Sequence, residues 1–326
     1  MLTSDVREDK HNNNNNNNAR DDDAAQAAAV SPFAAGPIPC QRWRNGVDRL
    51  LHPVEDGRSS FFDKRNYSVD VVEERVAREF VTTHHYSASY PAAVLRVGLF
   101  GRRANLLGVA VFSVPMNERV VPFHCGVPPR QGVELGRFVL LDSDEAPRNS
   151  ESYFLKRALA TLRVEKPEMK SVVSYCDPVP RIAADGTVRL RGHIGTVYQS
   201  SNARYVGRAS ARTLHMLSDG TILSPRTVSK IRLEEVGCQA AERYLEQLGA
   251  PKREHLMSPA AWVKSILDSA LVTKVRHPGN HVFLFPLAKG KGRARIEERF
   301  APALAYPKQV DAVSAAFAKD NRLLAA

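Results

Sequence analysis

The densest potential for chemistry lies in Ser174-Tyr175-Cys176-Asp177-Pro178 and, shortly after it, Gly192-His193-Ile194-Gly195-Thr196-Val197-Tyr198-Gln199-Ser200-Ser201-Asn202. Asp177 follows the apolar run Ser171 to Tyr175, which reads as a short buried strand. Ligands of open α/β sheets bind at the carboxyl ends of strands. An aspartate there orients a partner or takes a proton, and a nearby tyrosine hydroxyl gives one. Asp-Pro also opens an ordinary turn, because the Asp side chain bonds its own backbone. From the residues alone the two readings weigh about equally. His193 serves equally as a general base, a metal ligand or a plain loop histidine, and the last is the simplest. His84 and His85 are adjacent, so in an extended segment at most one reaches a shared site. Arg137 interrupts the apolar strand Glu134 to Leu141, where a charge is costly unless paired. Its partner is Glu134 or another acid, or else an anionic ligand. No nucleophile elbow, P-loop or dinucleotide-binding glycine fingerprint occurs.

Several elements position these residues. The spacing of Val71, Val72, Val76 and Phe80 predicts an amphipathic helix over Ser68 to Phe80, followed by a polar loop from Thr82 to Ser87. Ala93 to Phe100 and Leu106 to Val114 read as strands of a hairpin turning at Gly101 to Asn105. Glu134 to Leu141 is a third strand. Tyr153 to Arg163 is a helix with Phe154, Leu155, Ala158, Leu159 and Leu162 on one face, and Ser150 reads as its N-cap. The order strand, loop, helix, strand makes a βαβ-like unit, whose helix N-terminus is a place for anions. A second helical region starts near Val236. It holds a helix over Gln239 to Leu248 stopped by Gly249, and another opened by Ser258. Phe283 to Leu287 reads as a strand, and the tail from Lys289 is basic.

The chain has 326 residues, with 46 Lys+Arg against 35 Asp+Glu and a formal charge of +11. Such a balance modestly favours a polyanionic partner. Hydrophobic residues make up 43% of the chain, enough for a normal core. No apolar run reaches the roughly 18 to 20 residues of a membrane span, and the polar start carries no secretory signal. A cytoplasmic protein is expected. Its four cysteines, Cys40, Cys125, Cys176 and Cys238, lack zinc-site spacing and read as reduced thiols. Residues 1–40, with the tract Asn12 to Asn18, are expected to be a disordered tail.

GluLeuGlyArgPhe at 134–138, AsnSerGluSer at 149–152, the two segments around Asp177 and Tyr198, Ser224 to Lys230, and His277 to Phe283 together resemble the phage Mom proteins over roughly residues 68 to 310. The resemblance implies a fold related to the GNAT acyltransferases: a central mixed sheet flanked by helices, class α/β (α+β). It implies a catalytic core over 41–235, with helices, a strand and a basic tail over 236–326 packed on it. It implies conversion of adenine in double-stranded DNA to an N6-carbamoylmethyl derivative that protects phage DNA from host restriction, in the host cytoplasm. Arg137, Ser152, Asp177 and Tyr198 then occupy motif positions around the reaction centre. Asn202 and Tyr205 shape the pocket, and His193, Ser174, His85 and Tyr86 are expected to contact substrate.

Two departures bear on mechanism. GNAT enzymes hold the acyl-CoA pyrophosphate with a glycine-rich loop before the central helix. Here Glu145 to Ser152 has no glycine, which argues against acetyl-CoA and leaves the cofactor open; a histidine-bound metal ion stays in view. Val179 to Arg191 reads as an insertion beside the site, turning at Asp185-Gly186. The competing readings are an N-acyltransferase of a protein or small amine, and a non-enzymatic DNA-binding accessory protein using residues 289–308.

Overall fold

The computed structural model describes residues 62–141, 145–147, 149–185, 188–190, 192–300 and 302–308. The expected disordered tail lies outside them. The first half of the fold runs β1 (Ser68–Val71), α1 (Glu74–His84), β2 (Ala93–Phe100), β3 (Leu106–Ser113), α2 (Val120–Cys125), β4 (Gly132–Leu140), α3 (Ser150–Glu165) and β5 (Ser171–Cys176). A small hairpin, β6 (Arg181–Ile182) and β7 (Val188–Leu190), precedes α4 (Thr196–Ser200) and β8 (Arg204–Arg208). Then come β9 (Arg212–Leu217), α5 (Pro225–Arg232), α6 (Cys238–Gln247), α7 (Pro259–Leu267) and β10 (Val272–His277). The last elements are β11 (His281–Pro286) and α8 (Gly290–Glu298).

Seven strands form one mixed sheet in the order β1-β2-β3-β4-β5-β11-β8. The expected α/β class and the expected mixed sheet flanked by helices are both present. Only β4 and β5 run parallel, as a βαβ crossover through α3 requires. They pair over Gly132–Glu134 and Ser171–Val173 alone. Beyond Glu134 the strand β4 follows β3, and beyond Val173 the strand β5 follows β11. The sheet therefore parts at the carboxyl ends of its two central strands.

Apolar faces explain the layers. In α3 the residues Phe154, Leu155, Ala158, Leu159 and Leu162 recur at helical spacing and share one core with Leu95, Val97, Leu99, Phe112 and Leu135 of the sheet. On the other face α1 packs Ala77 and Val81 on Val109, Val111 and Val139, and α2 packs Val121 and Cys125 on Val173, Val282 and Leu284. The segment 212–277 has a core of its own, built from Leu217, Ile231, Leu245, Trp262, Val263 and Ile266 among others.

Several sequence expectations are corrected. Ser68–Val71 is a strand and not the start of a helix: Ser-Val-Asp-Val alternates, and it pairs with Val97 to Phe100. Helix α1 begins after Glu73 and continues through Thr82 and Thr83 to His84, taking in the start of the supposed loop. Asn149, not Ser150, is the N-cap of α3; Ser150 is its first residue and donates its hydroxyl to Pro147 O at 2.6 Å. Residues 290–298 of the basic tail are helical. Strand β11 lies inside the main sheet between β5 and β8, so the chain beyond 235 completes the core rather than only packing on it.

Candidate active site

The splayed end of the sheet gathers most of the singled-out side chains. Asp177 follows β5 directly and is 5% exposed. Its Oδ1 accepts from Val179 N at 2.9 Å and from His277 Nε2 at 2.9 Å, and its Oδ2 accepts from Arg181 Nη2 at 2.7 Å. Burial by itself would raise the carboxyl pKa. The His277 hydrogen bond, the Arg181 charge and the Val179 amide outweigh it, so the group stays ionised far below the usual carboxylate range. His277 is 1% exposed, and its Nδ1 accepts from Gly279 N at 3.0 Å. That acceptor role leaves the ring proton on Nε2, where it donates to Asp177.

Arg181 stands on β6, inside the inserted hairpin, with its guanidinium carbon 5.9 Å from the centre of the Tyr86 ring. The insertion is a hairpin, as expected; Gly186 lies outside the described residues. Tyr86 and His85 follow α1, where the chain turns toward the sheet. His85 Nδ1 accepts from Ser87 N at 3.1 Å. Burial first, then the charges of Arg137, His193 and Arg181, push the His85 pKa well down. The ring is neutral, with its proton on Nε2. Its neighbour His84 packs on Phe80 instead, so one histidine of the pair enters the site.

Arg137, on β4, donates to Ser89 O at 2.9 Å, to Ser89 Oγ at 2.7 Å and to Gly136 O. Burial lowers its pKa, while Tyr86 and Glu134 act the other way. Its hydrogen bonds therefore go to neutral oxygens, and Glu134 acts on it through space only. His193 N donates to Asp177 O at 2.8 Å. Burial lowers the His193 pKa against the raising effect of Asp177.

Tyr198 sits in α4. Gly195, at φ +73, permits this placement: a Cβ there would come within 2.6 Å of the Phe283 ring. The Tyr198 ring then packs 5.4 Å from Phe283 on β11. Burial raises its hydroxyl pKa, and Ser174, Cys176, Tyr86 and Glu134 are the groups acting on it. Burial likewise raises Tyr86, with Arg181, Asp177 and Arg137 around it.

The remaining residues stand further out. Ser152 Oγ meets Ser200 Oγ at 3.1 Å, tying the first turn of α3 to the end of α4. Asn202, at φ 58, makes the turn from α4 into β8. The Tyr205 hydroxyl lies 2.8 Å from His281 Nδ1. Three residues were not named for the site from the sequence. Arg181 follows Asp177 at i+4 and carried a weak local signal. Glu134 was seen only as a partner for Arg137, and His277 only as the start of the motif His277 to Phe283, with no local signal that it meets Asp177 a hundred residues away. Among the described residues no three His, Cys, Asp or Glu side chains are arranged to hold a metal ion.

This is an α/β protein in which neutral histidines and tyrosines cluster near a fixed ion pair. The model of the Mom protein family matches residues 66–257, more than half of the chain. The chain belongs to the Mom protein family. It is 29% identical over 157 residues to the methylcarbamoylase Mom of Escherichia phage Mu, a match covering 47% of this chain and 58% of that relative. The chain thus spans less than two thirds of the relative's length. Among solved structures, a spermidine/spermine N-acetyltransferase from Vibrio cholerae matches at 11% identity and TM-score 0.28, over 47% of this chain and 82% of the other. A tandem GNAT protein from the clavulanic acid biosynthesis pathway matches at 7% and 0.35, over 69% and 100%. Among the described residues no helix is long and apolar enough to cross a membrane.

Proposed function

We propose that this protein is a DNA-modifying transferase that places a methylcarbamoyl-type group on N6 of adenine in phage DNA and so shields it from restriction. The observation that carries this reading is the cluster of groups gathered at the parted end of the sheet. Neutral His85, Tyr86 and His193 lie about the Asp177–Arg181 pair where β4 and β5 part, and neutral Tyr198 lies near Tyr86. Membership of the Mom family and the name of the phage Mu relative supply the chemistry.

A nucleobase is neutral, and its recognition suits groups that exchange hydrogen bonds without adding charge. The base leaves the duplex stack to enter such a pocket. Adenine N6 is a weak nucleophile because its lone pair is delocalised into the ring, so a proton acceptor must act as the new bond forms. Asp177, with three donors on its oxygens, is a poor acceptor. Its part is to hold Arg181 and His277 in place. The neutral imidazole of His193, anchored through its own backbone to Asp177, takes the proton. The Tyr198 hydroxyl, kept protonated by burial, donates to the carbonyl of the incoming group, and the bond from that group to its donor breaks as the N6 bond forms, its electron pair leaving with the donor. Arg137, free of a carboxylate contact among the described residues, holds the negative charge of a phosphate or of the donor. The glycine-free loop before α3 argues for a donor other than acetyl-CoA.

The test is mass spectrometry of nucleosides from DNA of cells expressing the protein, beside a Tyr198→Phe variant. A heavier deoxyadenosine that disappears in the variant is the expected result. Unshifted nucleosides with soluble protein would refute the reading and favour transfer to a protein or small amine, or an accessory role in DNA binding.

A further inference from the structure

The helical segment 212–277 leaves the sheet after β8 and returns at β11, two strands that are hydrogen-bonded neighbours. It is an excursion with its own core, closed at its base by the antiparallel pair β9–β10. Ser224 caps α5, its hydroxyl accepting from Thr227 N at 3.0 Å. The chain then reverses sharply over residues 233–237, with left-handed backbone at Glu234 (φ 51) and Gly237 (φ 84), and enters α6. Ile231 of α5, Leu245 of α6 and Trp262 of α7 meet inside. Two helices joined by a short glycine-containing turn and packed on a third resemble a helix-turn-helix, with a turn slightly longer than usual.

The outer face of the second helix has the matching chemistry. Leu245 is buried, whereas Gln239, Ala240, Arg243 and Gln247 are exposed. Gln239, Arg243 and Gln247 fall at i, i+4 and i+8, a single stripe without an acid. Of the two acids in α6, Glu242 is taken by Arg253 at 3.2 Å and Glu246 is half-buried. Likewise Glu235, in the turn, is taken by Arg226. Arg232, Lys252 and Lys264 remain exposed on the flanking elements. Arginine and glutamine are the side chains that read guanine and adenine edges in the major groove, and flanking cations suit phosphates. The module is also fastened to the pocket. His277 ends β10 and donates to Asp177, and Ala184 N of the inserted hairpin donates to Ser218 O at 2.8 Å.

We propose that α5 and α6 form a helix-turn-helix that lays α6 in the major groove of duplex DNA, where Gln239, Arg243 and Gln247 read base edges and so select the adenine delivered to the pocket. The delivery rests on the function proposed above; the grip on duplex DNA does not.

The experiment uses the full chain and a pool of random duplexes, with bound sequences recovered and affinities measured at fixed salt. The wild type should select a short consensus. A Gln239→Ala, Arg243→Ala, Gln247→Ala triple variant should lose that consensus and bind it roughly tenfold or more weakly, with an unchanged melting temperature because all three side chains are exposed. A Lys291→Ala, Arg295→Ala variant of α8 should keep the consensus. Identical selection by wild type and triple variant, no selection by the wild type, or equal loss in the α8 variant would each overturn the proposal. An α6-dependent consensus without modified adenine leaves this proposal standing and removes the proposed function. Modified adenine at the same positions in the triple variant does the reverse.

Discussion

The sheet and the helical excursion solve different problems. The sheet buries long continuous runs such as Leu107 to Ser113 on both faces and uses them to hold a few polar groups immobile. The excursion buries one stripe of each short helix and leaves the other to solvent. Two polar residues at the sheet's parted end are engaged: Asp177 has three donors, and His85 has Ser87. Gln239, Arg243 and Gln247 on the outer face of α6 stand in solvent. A pocket for chemistry needs fixed groups, because a small displacement costs rate. A surface that reads a long partner needs side chains that can adapt.

Breaking each core separately tests this division hardest. Phe154→Ala in the sheet's core and Trp262→Ala in the excursion each remove a fully buried ring, at a cost of about 3–5 kcal/mol. If the cores are separate, the two losses add in the double variant. Trp262→Ala should also produce an early thermal transition that leaves the sheet intact, visible in calorimetry and in hydrogen exchange of α5 to α7. A single cooperative melt in that variant would merge the two regions. Asp177→Ala cuts the junction between them. It strands Arg181 and His277, and about 3–5 kcal/mol should be lost in chemical denaturation.

Next in size, Tyr198→Phe should lower modification about 100-fold or more with little change in melting temperature. Equal loss of activity and stability would reduce Tyr198 to a packing residue.

The smallest effect is the dependence on pH. Burial, Arg208 and His193 lower the His281 pKa to about 4. Between that value and about 6.5 in the unfolded chain, the unfolded state binds the extra proton. Stability from this group is therefore present above the unfolded value and lost as pH falls toward 4. His85 and His193 shift the same way. Asp177, whose folded pKa is depressed, adds stability above its unfolded value of about 3.9 that is lost only below it. Denaturation from pH 7 to 4 should show a falling free energy, with a shallower slope in His281→Gln. An unchanged slope in that variant would remove His281 from the account.

Local pattern made much of the fold legible. Alternating or continuous apolar runs marked β2, β3, β4 and β5, and the 3.6-residue spacing of Phe154 to Leu162 marked α3. Gly249 and Ser258 marked helix ends, because caps act within one turn. Val69 to Phe80 misled because two valine-rich turns of chain fit either period, and pairing with β2 decided for a strand at the front. The place of Asp177 after a strand, and the company of His193 with it, also followed from short-range order. What the chain could not announce was the partner of each group. His277 reaches Asp177 only because β10 ends where β11 enters the sheet between β5 and β8. Arg137 turns from carboxylates to neutral oxygens only because the Ser89 turn covers it. Sequence determined the elements and the residue types near the site, since propensity and periodicity are local. The tertiary structure alone decided ionisation and tautomer, since those depend on charges and burial set by segments far apart along the chain.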